Sequence, residues 1–128
     1  MADVTLVSDA IDAYNRRDFA KLRLLMTEDV ELRPPVSVLT GRAYLGHQGI
    51  EDWLHDVDES FSSAQIVPLE LVDYGDKVLA LTEFIVEGAE SRLPLGSELG
   101  LVCDVHDGRI ASWRGFFNHG EARAAATA

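Results

Sequence analysis

The stretch from Leu71 to Asn118 constrains this chain most. It reads as three long strands in succession: Lys77 to Gly88, Glu98 to His106 and Arg109 to Asn118. Asp107-Gly108 joins the last two, and Asp-Gly is a strong hairpin signal because a tight primed turn needs positive φ at both positions. In the final strand Trp113, Gly115 and Phe117 alternate with Ser112, Arg114, Phe116 and Asn118, so the two faces differ in chemistry. Leu99, Leu101, Cys103 and Val105 alternate in the same way with Gly100, Val102, Asp104 and His106. The strand from Val78 is apolar on both faces at first, which marks a central place in the sheet. Both faces of such a sheet need cover, and the rest of the chain has to supply it.

The N-terminal half supplies helices. Val4, Val7, Ile11 and Tyr14 fall at helical spacing and predict an amphipathic helix from about Asp3 to Arg17. Asp18 is placed to cap a second, short helix from Phe19 to Met26. Val30 to Arg33 reads as a short strand stopped by Pro34 and Pro35, since proline cannot donate to a ladder. Val36 to Gly46 reads as irregular. A third helix, Gln48 to Ser60, carries the stripe Ile50, Trp53, Leu54, Val57 and Phe61, with Asp52, His55, Asp56, Asp58 and Glu59 toward water. Gln65 to Asp73 alternates as a further strand, and Glu90 to Gly96 reads as a loop. Glu121 to Ala128 is an alanine-rich tail helix expected to fray. Helices followed by a meandering antiparallel sheet make a single α+β domain over residues 1–128. Three helices cover one face only. The other carries Val72, Leu79, Leu81, Ile85 and Phe116, so a second copy is expected to cover it, giving a homodimer through the outer sheet face.

Composition narrows the partners. Acids outnumber bases, 22 to 11, for a net charge of −11. A phosphate backbone needs a clustered basic face, so no nucleic-acid partner is expected. Arg16, Arg17, Lys21 and Arg23 do come close together, but they surround a helix junction among acids and read as solvated surface. The one cysteine, Cys103, excludes an internal disulfide and a cysteine-based zinc cage. No segment approaches the roughly 20 apolar residues of a membrane span. Met1 to Leu6 shows no signal-peptide pattern. The expected setting is the cytoplasm, with no membrane partner, no metal and no cofactor.

A family resemblance runs along nearly the whole chain. Ala13-Tyr14-Asn15-Arg16-Arg17-Asp18, then Glu28-Asp29-Val30, resembles the opening of SnoaL-like proteins. So does Tyr44-Leu45-Gly46-His47-Gln48-Gly49-Ile50, leading into the third helix. Gly75-Asp76-Lys77-Val78-Leu79, Asp107-Gly108-Arg109-Ile110, Phe116-Phe117-Asn118 and Glu121-Ala122 complete the set in the family's order. The resemblance implies a nuclear transport factor 2-like fold: a cone of curved antiparallel sheet closed by helices, usually dimeric, with a pocket inside. That superfamily includes polyketide cyclases, ketosteroid isomerases, limonene-epoxide hydrolases, dehydratases and members with no known reaction, so the fold leaves the chemistry open.

The resemblance lets catalytic positions be checked one by one. Leu81-Thr82-Glu83-Phe84-Ile85-Val86 is similar to the epoxide-hydrolase strand whose arginine and aspartate would stand at Phe84 and Val86. That family's third carboxylate would fall at Gly115. Opening an epoxide needs a base for water and an acid for the oxygen, and these positions hold neither, so no epoxide hydrolysis is expected. Ketosteroid isomerases need a carboxylate just after the first strand, where this chain reads Arg33-Pro34-Pro35. Tyr14 does match the helix-one tyrosine that donates to the substrate oxygen in those enzymes, but a donor without its base is half a site.

Tyr14 and Arg33 are therefore the catalytic candidates. Arg33 sits at the expected pocket mouth, where a guanidinium can hold a carboxylate or enolate by two parallel bonds; the alternative is a surface pair with Glu31. Tyr14, Trp53, Phe84, Cys103, Trp113 and Phe117 are the expected pocket lining, with volume left by the missing side chain at Gly115. The same aromatics would serve equally to fill a core. His47 reads as structural at a helix start, and His106 and His119 as exposed beside turns. Asp104 and His106 share a strand face and read as a solvent or dimer contact, in preference to an acid–base or metal pair. Two functions stand. One is a binding protein for a small apolar or ring-containing ligand. The other is an enzyme of polyketide cyclase, isomerase or dehydratase type, acting through Tyr14 on a small cyclic ketone or polyketide-like substrate. An ionisable group on the pocket floor would separate them.

Overall fold

The structure, a computed structural model, describes residues 2–35, 41–88 and 95–128. Helices α1 (Ala2–Arg16) and α2 (Phe19–Leu25) lead into strands β1 (Met26–Arg33) and β2 (Tyr44–Leu45). Helix α3 (Gly46–Ser60) follows. Strands β3 (Phe61–Asp73), β4 (Lys77–Gly88), β5 (Leu95–His106) and β6 (Arg109–Phe116) then run to helix α4 (His119–Thr127). The fold is α+β: four helices and one curved, unclosed six-stranded sheet in the order β2-β1-β6-β5-β4-β3. Only β1 and β6 pair in parallel; the other neighbours are antiparallel.

Local chemistry sets the corners. Arg17 takes a left-handed φ of 56° and stops α1. Its N–H donates to the Tyr14 carbonyl at 3.1 Å, and the Asp18 N–H donates to Ala13 at 2.9 Å. The Asp18 side chain then accepts the Lys21 N–H at 3.1 Å and caps α2. The Arg17 guanidinium straps this corner to α3, donating to Asp58 at 2.8 Å and to the Tyr14 carbonyl at 2.6 Å.

Three strands run longer than alternation predicts. β1 begins at Met26 and not at Val30, because its register shifts between Met26 and Glu31 and breaks the two-residue period. β3 begins at Phe61, which belongs to the strand and not to the helix stripe: α3 ends at Ser60 and Phe61 is extended. The expected loop at Glu90 to Gly96 lies outside the described residues as far as Pro94, and Leu95 and Gly96 already belong to β5. Of the segment expected to be irregular, Val36 to Thr40 lies outside them as well, while Tyr44 and Leu45 form β2.

The sheet separates two clusters. On the inner face Val7, Ile11, Leu22, Leu54, Leu101 and Trp113 pack with their neighbours from α1, α2 and α3. On the outer face Leu79, Leu81 and Val102 pack under Ala122 and Ala126 of α4. This corrects the expected role of the tail. α4 is capped by the Asn118 side chain, which accepts the Glu121 N–H at 3.0 Å, and it covers much of the face assigned to a second copy. His119, expected to be exposed, is half-buried as part of this lid. Its N–H donates to Glu98 at 2.8 Å, and its ring Nε2 lies 2.7 Å from the Thr82 carbonyl oxygen.

Two glycines let backbones approach. A Cβ on Gly100 would overlap Ala122, so α4 docks only because β5 has no side chain there. A Cβ on Gly115 would stand 2.6 Å from Pro35 Cδ, so the space expected to be empty is filled by proline. Gly100→Leu and Gly115→Leu should each destabilise the fold by about 1–3 kcal/mol through overpacking. Urea denaturation checks this, and a Gly115→Leu protein with unchanged midpoint would contradict the proline contact.

Candidate functional site

A cavity of ≈ 630 Å³ lies between α1, α3 and the inner face of the sheet. Tyr14 of α1 and Trp53 of α3 face each other with ring centroids 5.2 Å apart. Trp53 meets Trp113 of β6 edge-on at 5.7 Å. Phe61 and Phe84 make a second edge contact at 6.2 Å across β3 and β4. Ile66, Leu99, Leu101, Val57 and Val86 complete the apolar wall, and Pro34, Pro35 and Ser97 also line it.

The structure therefore brings Tyr14, Trp53, Phe84 and Trp113 together. Phe117 also lines the cavity, but from its rim, where it is 59% exposed. Cys103 does not line it. It shares the inner face but lies wholly inside the core, and burial pushes its thiol up, away from the reactive thiolate. Arg33 is not in the lining either. Its side chain is exposed and grips Glu31 at 3.0 and 3.3 Å, because β1 turns this position outward. The surface pair is the arrangement it adopts.

The polar chemistry of the cavity has two parts. Tyr14 is 1% exposed, and burial pushes its hydroxyl up to about 12. The Arg17 guanidinium, 4.6 Å above the ring, pulls it back only in part. Tyr14 thus stays protonated at neutral pH and can only act there as a hydrogen-bonding phenol. The second part is a pair the sequence reading missed. The Tyr44 hydroxyl donates to Asp56 Oδ2 at 2.5 Å, and both residues line the cavity. Burial, then the bond to Asp56, raises the Tyr44 hydroxyl above its ordinary value. Gly49 makes the pairing possible: a Cβ there would stand 2.8 Å from the Tyr44 backbone, so α3 could not lie against β2.

The sequence pattern turns Asp56 toward water because it flanks the apolar stripe of α3. Its place three residues after Trp53 and one before Val57 was the available signal. The other weighed residues stay outside the cavity. His47 Nε2 lies 3.3 Å from the Met26 carbonyl oxygen. Asp104 sits between Lys77 at 4.0 Å and Arg114 at 3.8 Å on the outer face.

With this geometry in view, the known relatives can be compared. The SnoaL-like domain family matches residues 7–113. A comparison with curated proteins finds no match. Among solved structures, a protein of unknown function from Burkholderia pseudomallei with the nuclear transport factor 2-like fold superposes with a TM-score of 0.82 at 19% identity, over 100% of this chain and 99% of that one. TerC, co-crystallised with polyporic acid, superposes equally well, 0.82 at 18% identity over 100% of both chains. A candidate polyketide cyclase from Xanthomonas campestris pv. campestris gives 0.72 at 22% identity, over 98% of this chain and 96% of that one. At these identities the superpositions speak for the fold, and the domain match for the lineage: the chain belongs to the SnoaL-like family.

Proposed function

We propose that this chain binds a small, mainly apolar, ring-containing molecule inside the cone. The observation that carries the reading is the wall itself. Both tryptophans, two of the three tyrosines and three of the five phenylalanines face one cavity of ≈ 630 Å³. That size and lining suit a small organic ligand. The Tyr14 hydroxyl, held protonated, is the handle for a ligand oxygen. TerC, which has this fold and was crystallised with polyporic acid, supports a small molecule as the class of ligand.

One observation favours the second reading. Asp56 is an ionisable group in the cavity, and a carboxylate with a phenol opposite supplies a base and an oxygen donor for a cyclase, isomerase or dehydratase. Arg33 has no part in it, being tied to Glu31 outside. A homodimer is proposed on a smaller footprint than the bare sheet offered: Ile85 is only half-buried, and Val67 is 38% exposed. Residues 1–128 are taken as one domain because both clusters share one sheet. No described helix is long and apolar enough to cross a membrane. The cytoplasm is proposed as the setting on the buried, unpaired Cys103.

The bicyclic ketone 2-tetralone tests both readings. It should shift the two indole N–H resonances in a nitrogen-15 spectrum, and Tyr14→Phe should weaken its binding by about 1 kcal/mol, the usual worth of one hydrogen bond. Failure of either resonance to move at millimolar ketone would overturn the binding reading. Exchange of its α-protons with deuterated water should stay at the buffer rate. Acceleration by the protein, abolished in Asp56→Asn, would establish the catalytic reading instead. For assembly, light scattering at micromolar protein should give twice the chain mass, and a monomer would dispose of the dimer.

A further inference from the structure

Asp56 is the only charged residue among the described residues that line the cavity. Every other lining side chain is aromatic, aliphatic, proline or hydroxylic. A buried or half-buried carboxylate is ordinarily matched by a cation, since leaving it unmatched in a low-dielectric site is costly. None of the ion pairs seen among the described residues includes Asp56, and the Arg42 guanidinium stands 5.9 Å from the centre of the Tyr44 ring. The protein partner of Asp56 is the neutral Tyr44 hydroxyl, which occupies Oδ2 alone. Oδ1 carries no hydrogen bond among the described residues.

The surroundings of this carboxylate suit a positive ligand. Tyr44 lies beside Asp56, and Trp53 is one helical turn back on α3. Tyr14, Trp113, Phe61 and Phe84 continue the aromatic surface across the cavity. Aromatic faces carry negative potential and attract ammonium groups, most strongly where water is excluded. An anionic ligand would meet the reverse: a fixed negative charge in the lining, with Arg42 outside the lining at 5.9 Å from the centre of the Tyr44 ring. The net charge of −11 acts in the same direction at longer range, drawing cations toward the surface and repelling anions.

We infer that the cavity selects a ring-bearing amine in its protonated form, with the ammonium on Asp56 Oδ1 and the ring among Trp53, Trp113 and Phe84. The inference rests on the binding reading above and names the ligand class for the same site. The Tyr44 hydroxyl occupies Oδ2, and Oδ1 is the oxygen that faces the ligand's ammonium. Ser60 supports the same place on α3, its hydroxyl donating to the Asp56 carbonyl at 2.9 Å at the helix end.

The test compares three probes of one shape and three charges: N,N-dimethylbenzylamine, its uncharged carbon isostere isobutylbenzene, and phenylacetate. Binding is read at neutral pH from the indole N–H resonances of Trp53 and Trp113. The amine should bind at least about tenfold more tightly than isobutylbenzene, the scale of a charge-assisted hydrogen bond, and phenylacetate should bind more weakly than either. Asp56→Asn, which keeps the shape and removes the charge, should erase the preference for the amine and leave isobutylbenzene unchanged. Tyr44→Phe keeps the carboxylate and should keep the preference; the same spectra show whether each variant is folded. Equal binding of amine and isostere, or an amine preference that survives Asp56→Asn, would overturn the inference while leaving the binding reading in place. A preference lost in Tyr44→Phe would overturn it too, by assigning recognition to the phenol. If none of the three moves either resonance, both fall together.

Discussion

Strands β4 and β5 bury side chains on both faces, and everything else in the chain answers to that. Val78, Ala80, Leu101 and Cys103 must be covered on one side, and Leu79, Leu81 and Val102 on the other. The first side is covered by three helices that arrive before the strands. The second is covered by a nine-residue helix of small residues that arrives after them. Small residues suit that place. α4 lies close enough to β5 to require glycine at position 100, and a larger helix face would stand off and leave a gap.

The inner side is covered incompletely, and the site lies in the remainder. The sheet is curved, and the cavity opens between it and helices α1 and α3. The strap from Arg17 to Asp58 links the end of α1 to α3. Aromatic rings on each wall meet tilted or edge to face and prop the space open, where flexible aliphatic chains would fall into it. Polar groups are few, and each is placed by a structural cause. Tyr14 comes from the last turn of α1, and Tyr44 and Asp56 come from the contact of α3 with β2.

Much of this was legible in the sequence, and what was not has physical reasons. Alternation and the Asp107-Gly108 turn located β4 and the start of β6, because regular strands keep a two-residue period. β1 was read short because its period is broken. The cover supplied by α4 was missed because Ala122 and Ala126 bury little area and leave a weak amphipathic signature. Tyr14, Trp53, Phe84 and Trp113 share the cavity that their stripes and faces suggested. Cys103 shows the limit of that logic: alternation gives the face of a strand and not the depth along it. Asp56 and Tyr44 depend on a contact between α3 and a two-residue strand, which no local pattern encodes.

The meeting of Trp53 and Trp113 at 5.7 Å has an optical consequence. These are the only tryptophans in the chain, so its intrinsic emission arises from one spot on the cavity wall. The terminal helix, His119–Thr127, contains no aromatic residue. Its release from the outer face would leave that emission nearly unchanged while far-ultraviolet dichroism lost a helix. A melting curve followed by fluorescence alone would describe the cone and pass over its lid. Agreement between the two signals would mean that lid and cone unfold as one unit.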